Sequence, residues 1–173
     1  MLYLKLDSLW RLGESGRYPP TNSSQHSPDP LKEIMAVVTG LNFAGRTEEA
    51  LNLYREVLDA EILFLMRFRE CPDKSLIHPG NEEMIFHATF RIDGTEFKAS
   101  DVGYSENASI PELKGFSLVL RPTSVEKAKQ MFAALSVGGE VIIPFGESTF
   151  TDWYGIVIDK IGVTWKLNIE NSG

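Results

Sequence analysis

The strongest constraint on this chain is a repeat in the order of its elements. Ala36 to Phe43 is a short apolar, β-prone segment, and Thr47 can cap a helix that runs to about Asp59, with Glu48 and Glu49 in its first turn. Ala50, Leu51, Leu53, Tyr54, Val57 and Leu58 fall near the three-to-four spacing of one buried stripe. Glu61 to Arg69 reads as a strand, and Ile85 to Ile92 with Thr95 to Asp101 reads as a hairpin turned at Asp93-Gly94. The second half follows the same plan. Gly115 to Arg121 is a strand and Ser124 to Ser136 a helix closed by Gly138-Gly139; Glu140 to Phe145, Tyr154 to Asp159 and Val163 to Ile169 are strands. One fixed offset pairs Glu48 with Glu126, Ala50 with Ala128 and Tyr54 with Phe132. The expected fold is α+β: two βαβββ modules, 36–101 and 115–169, whose mixed sheets pair into a cupped surface with its cleft as the default binding site.

At 173 residues the chain is about one domain, long enough to bury a core without disulfides. Residues 1–34 read as a leader: Gly13 to Pro30 is rich in Pro, Ser, Asn and Gly, and Pro19-Pro20 and Pro28-Asp29-Pro30 break any period. Lys32-Glu33 can be encoded by a purine-rich ribosome-binding sequence, which makes Met35 a candidate native start and 35–173 the domain. No apolar run exceeds Ile62 to Met66, far too short to span a bilayer, and Lys5, Asp7 and Arg11 interrupt any export signal. The lone Cys71 reads as an incidental thiol in a loop and fits a cytoplasmic setting. A net charge of −7 disfavours nucleic acid and anionic membranes, leaving a small molecule or a protein as partner.

The stretch Leu41-Asn42-Phe43-Ala44-Gly45-Arg46-Thr47-Glu48-Glu49-Ala50, continuing to Tyr54, resembles the opening of PhnB-like members of the vicinal oxygen chelate (glyoxalase/bleomycin-resistance) superfamily. Ile85-Phe86-His87-Ala88 leading to Ser100-Asp101, Gly138-Gly139-Glu140-Val141 with Pro144, Tyr154-Gly155 with Asp159-Lys160, and Gly162-Val163-Thr164-Trp165 are similar in type and order, from about Ala36 to Asn168. The resemblance implies paired βαβββ modules and commonly a homodimer. It does not fix a reaction, because the superfamily includes metal-dependent isomerases, dioxygenases and thiol transferases alongside metal-free proteins that sequester a drug. Some PhnB-like chains carry a ubiquinone-methyltransferase label, yet no glycine-rich strand-to-helix loop that would cradle a nucleotide-like cofactor stands here.

Metal-using members place His, Gln or Glu on the first and last strands of each module. The matching places here hold Val38 or Thr39, Ser117, Lys166, and one of Lys98, Ser100 and Asp101. Only Asp101 could ligate a metal, and an ammonium at Lys166 would repel one, so no cofactor is expected and a divalent metal is disfavoured. His26 lies in the leader and His78 beside Pro79-Gly80. His87 shares a strand face with Thr89 and Arg91; it reads as a structural or dimer-contact residue before a general acid or base.

With Leu41, Phe43, Leu118, Leu120, Trp165 and Leu167 on the helices, alternation turns Asn42, Lys98, Ser100, Ser117, Arg121, Thr164, Lys166 and Asn168 toward the cup. That lining suits a carboxylate or phosphate; the plainer reading is long side chains reaching solvent at the rim. Phe145, Phe150, Trp153 and Tyr154 could stack on a planar ligand or serve as core and dimer contacts, and Trp153 joins the candidate pocket. The leading reading is a metal-free, homodimeric binder of a small anionic or aromatic molecule. The alternatives are a metal-dependent lyase, isomerase or dioxygenase of the same superfamily and a regulatory or interaction protein.

Overall fold

The computed structural model describes residues 37–102 and 113–170, so the leader and Met35 lie outside the described residues. The first module runs β1 (Thr39–Asn42), α1 (Thr47–Leu58), β2 (Glu61–Arg67), β3 (Ile85–Ile92) and β4 (Thr95–Ser100), with single 3-10 turns at Phe68–Glu70 and Lys74–Leu76. The second runs β5 (Leu118–Leu120), α2 (Val125–Ser136), β6 (Glu140–Glu147), β7 (Trp153–Ile158) and β8 (Thr164–Ile169). Each module builds its own four-stranded sheet, ordered β1-β4-β3-β2 and β5-β8-β7-β6. Both are mixed, since β1 runs parallel to β4 and β5 to β8 while the remaining pairs are antiparallel. The expected duplication is therefore present as matching topology. Asp93 and Gly94 both take positive φ, 45° and 80°, the pair of left-handed residues that a two-residue hairpin turn requires.

Period-two alternation decides what each strand buries. Phe97 and Ala99 on β4, Ala88 and Phe90 on β3, Val157 on β7, and Trp165 and Leu167 on β8 all enter one shared core. Leu41 and Phe43 join them fully, and Leu118 and Leu120 partly, as the alternation predicts. The ring of Tyr54, from α1, stands between the two sheets at 6.1 Å from Phe90 and 5.4 Å from Trp165. Its hydroxyl donates to Asp159 Oδ2 at 3.0 Å, and Trp165 Nε1 donates to the same oxygen at 2.7 Å. Asp159 Oδ1 accepts from the N–H groups of Ile161, Gly162 and Val163 at 2.9, 2.9 and 3.0 Å, which fixes the β7–β8 turn. Burial, and then the Asp159 charge, push the Tyr54 phenol well above its ordinary range. Arg46 adds a second tie between modules, donating to the carbonyls of Lys160 at 2.9 Å and Ile161 at 3.4 Å.

Thr47 is the first residue of α1 and does not cap it. The capping acceptor arrives from the end of β4: Asp101 Oδ1 takes the N–H of Gly45 at 2.8 Å, the N–H of Thr47 at 3.0 Å and the Thr47 hydroxyl at 2.5 Å, while its Oδ2 takes the N–H of Ile85 at 2.9 Å. A carboxylate at this end also suits the helix dipole. α2 is capped conventionally, Ser124 Oγ accepting from Lys127 N at 3.2 Å. Among the described residues no helix is long and apolar enough to cross a membrane.

Candidate functional site

Each sheet turns one face to the shared core and the other away from it, so the candidate lining falls into two groups. The first group sits on the open face of β4, β3 and β1. Lys98 stands opposite Thr89 in the β3–β4 register, and its Nζ donates to Thr89 Oγ1 at 2.9 Å. That leaves the Thr89 hydroxyl proton for His87 Nε2, 3.5 Å away. The Phe64 ring lies 5.8 Å from the imidazole. Half-burial, and then the Lys98 charge, lower the His87 pKa below its ordinary 6.5, so the imidazole is neutral at physiological pH. Asn42 borders this face, but its amide is engaged at the end of β1, donating from Nδ2 to the Val102 carbonyl and accepting from Ala44 N at 3.3 Å. Ser100 pairs with Asn42 across the β1–β4 ladder.

The lowered imidazole pKa has a consequence for stability. Above 6.5 folded and unfolded chains both hold a neutral His87; as the pH falls below that value the unfolded chain takes up the proton first and is favoured. The wild type should lose thermal stability between pH 7.5 and 5.5, and His87→Gln should lose measurably less over that range. Equal losses in the two melting series would remove His87 as the source.

The second group sits on the open face of β8, β7 and β5. Thr164, Lys166 and Asn168 alternate with the core residues of β8 and pair across β7 with Ile158, Ile156 and Tyr154. Val119 lies beside Lys166 on β5, flanked by Ser117 and Arg121. Arg121 pairs with Glu170 at 3.5 Å. A cavity of about 330 Å³, lined by Ser148, Thr149, Phe150, Thr151, Asp152 and Glu170, opens at the β6–β7 loop, where the Phe150 ring meets Tyr154 edge-on at 4.9 Å.

Two sequence assignments need correction. Trp153 belongs to the helix side of its sheet, not to the open face: it shares strand parity with Gly155 and Val157, packs 5.6 Å from Phe145, and lies under Lys129 Nζ of α2 at 4.7 Å. Asp101 is no ligand in waiting, because four protein donors occupy its two buried oxygens. Thr89, which links His87 to Lys98, was not singled out by the sequence. The two-residue turn at Asp93-Gly94 carries the signal, since it sets Thr89 opposite Lys98.

Superfamily members that use a metal need several N or O donors converging on one point. The matching places hold Val38 or Thr39, Ser117, Lys166, and one of Lys98, Ser100 and an Asp101 already filled by protein donors, and among the described residues no three His, Cys, Asp or Glu side chains come together. The donor set among the described residues does not fit a divalent cation. Nor do the strand-to-helix turns fit a nucleotide-like methyl donor: Asp101 takes the N–H groups that start α1, and Ser124 serves the start of α2.

A family model described as 3-demethylubiquinone-9 3-methyltransferase matches residues 35–168. Protein YjdN of Escherichia coli (strain K12) is 33% identical over 137 residues, covering 75% of this chain and 91% of its own. A PhnB protein from Bacillus cereus shares 30% identity at a TM-score of 0.64, covering 78% of this chain and 99% of that one. PA1353 from Pseudomonas aeruginosa shares 27% identity at a TM-score of 0.68, covering 79% and 98%. With two βαβββ modules around one core and a family match that spans both of them, the chain belongs to the PhnB-like branch of the vicinal oxygen chelate superfamily.

Proposed function

We propose that this PhnB-like protein binds a small anionic molecule on its open sheet faces, without a metal and as a homodimer. The observation that carries the reading is the pair of half-buried lysines, Lys98 and Lys166. Each projects from the face of its sheet opposite the shared core, and neither meets a carboxylate among the described residues of a chain whose net charge is −7. Surface cations on such a protein readily find acidic neighbours; a half-buried lysine held away from them on a sheet face is available to an added anion. Phe150 and Tyr154 give the second face an aromatic wall, which favours an anion with a planar apolar body. The buried, free thiol of Cys71 suits a reducing cytoplasm. A second copy is favoured by exposed apolar strands at the sheet edges.

The test uses inorganic phosphate and benzoate as probes. Titration by thermal shift and calorimetry should show saturable binding that weakens with added salt. Lys98→Ala or Lys166→Ala should lower the affinity for the preferred probe about tenfold, the loss expected for one hydrogen bond to a charged group. Binding unchanged in both variants would remove the lysines from the site. A stoichiometric metal in the purified protein, with a stabilising shift on adding zinc, nickel, manganese or iron, would replace this reading with metal-dependent superfamily chemistry.

A further inference from the structure

We propose that the homodimer forms by antiparallel apposition of β2 with β2 of a second copy, about a two-fold axis through Phe64. The inference rests on the homodimer reading above and names the surface that makes it. β2 is the outermost strand of its sheet, so one edge pairs with no other strand among the described residues. Its three central residues, Leu63, Phe64 and Leu65, are 42%, 46% and 37% exposed, so this edge strand is apolar on both its faces, the kind of edge that invites pairing with another chain.

The sequence of β2 identifies the occupant. Glu-Ile-Leu-Phe-Leu-Met-Arg, residues 61 to 67, is self-complementary about its midpoint. Laid antiparallel against itself, Phe64 meets Phe64, Leu63 meets Leu65, Ile62 meets Met66, and the Glu61 carboxylate of each copy meets the Arg67 guanidinium of the other. A two-fold interface requires such a patch, because it presents one surface to itself. Within the chain Glu61 pairs with Arg91 at the exposed surface, while Arg67, 21% exposed, holds both Glu48 oxygens and the Glu83 carbonyl, so the contact would extend an existing charge network. The corresponding edge of the other sheet fails the same test. β6 also exposes Val141, Ile142 and Ile143, yet it carries Glu140 and Glu147 at its two ends, which self-pairing would set against each other, and Pro144 removes a backbone donor from its middle.

The charges supply a sharp experiment on the full chain. Glu61→Arg alone sets two guanidinium groups against each other at both ends of the contact, and Arg67→Glu alone sets two carboxylates together at both ends. Each should weaken self-association about tenfold or more in sedimentation equilibrium, the cost of like charges brought together across an interface. Mixed one to one, the two variants restore opposite charges at both contacts and should form a heterodimer in native mass spectrometry at concentrations where neither associates alone. Phe64→Lys should give a monomer whose melting temperature stays within a few degrees of that of Leu63→Ala. A wild type that is monomeric at tens of micromolar would overturn both this proposal and the homodimer reading. A dimeric wild type that tolerates Phe64→Lys, or that Ile142→Lys dissociates instead, would overturn the β2 contact alone. Singly charged variants that fail to pair with each other would exclude the antiparallel alignment.

Discussion

Asp159→Asn is expected to lower unfolding free energy by about 3 kcal/mol, although it changes one atom and preserves shape. The carboxylate is acceptor-only, and everything around it donates: three backbone N–H groups on Oδ1, and the Tyr54 hydroxyl with the Trp165 indole on Oδ2. An amide that keeps its oxygen on the three N–H groups turns its own NH2 toward the indole N–H, two donors face to face in a buried site. The opposite flip is worse, because the NH2 then meets the backbone donors. Tyr54→Phe removes one donor and leaves the carboxylate its remaining partners, so it should cost only about 1 kcal/mol. Urea unfolding of both variants measures this directly. An Asp159→Asn protein within about 1 kcal/mol of wild type would mean that the network holds less of the fold than its geometry implies.

Gly139→Ala should be nearly as damaging, about 3 kcal/mol, for a reason unrelated to helix propensity. A Cβ at Gly139 would stand 2.2 Å from the Ile158 carbonyl oxygen and 3.1 Å from Asp159 Cα. Both are backbone atoms at the end of β7, so relief requires the α2–β6 turn and the β7–β8 turn to move apart, and the second of these is tied down by Asp159. Gly94 provides the control. A Cβ there meets nothing within 4 Å, so Gly94→Ala tests only the positive φ of 80° and should cost about 1 kcal/mol. If the two alanine variants unfold at the same urea concentration, the close approach at Gly139 is not real.

The fold was legible because its signals are local and repeated. Strand alternation assigned Leu41, Phe43, Trp165 and Leu167 to the core and Lys98 and Lys166 to the opposite faces, and Asp93-Gly94 marked the hairpin correctly. The candidate site was legible only in part, because its key facts depend on contacts between distant residues. Trp153 was taken as an aromatic that could stack on a ligand or pack in the core, and residue type alone does not say which face its strand turns inward. Asp101 reads on paper as a spare carboxylate. What occupies it, the first residue of α1 and the first of β3, lies 54 and 16 residues away along the chain. Asp159 was noticed only as part of a family pattern, since nothing local says that a tyrosine from the other module donates to it.

That last contact records something about descent. Tyr54 and Phe132 hold the same place in the two helices, yet only one carries a hydroxyl, and it is satisfied by the opposite half of the molecule. A tandem of two second halves, with Phe132 in the place of Tyr54, would leave Asp159 short of a donor. Whatever ancestor was copied to make this chain, its descendants have ceased to be interchangeable. Each half now carries a part that only the other can use.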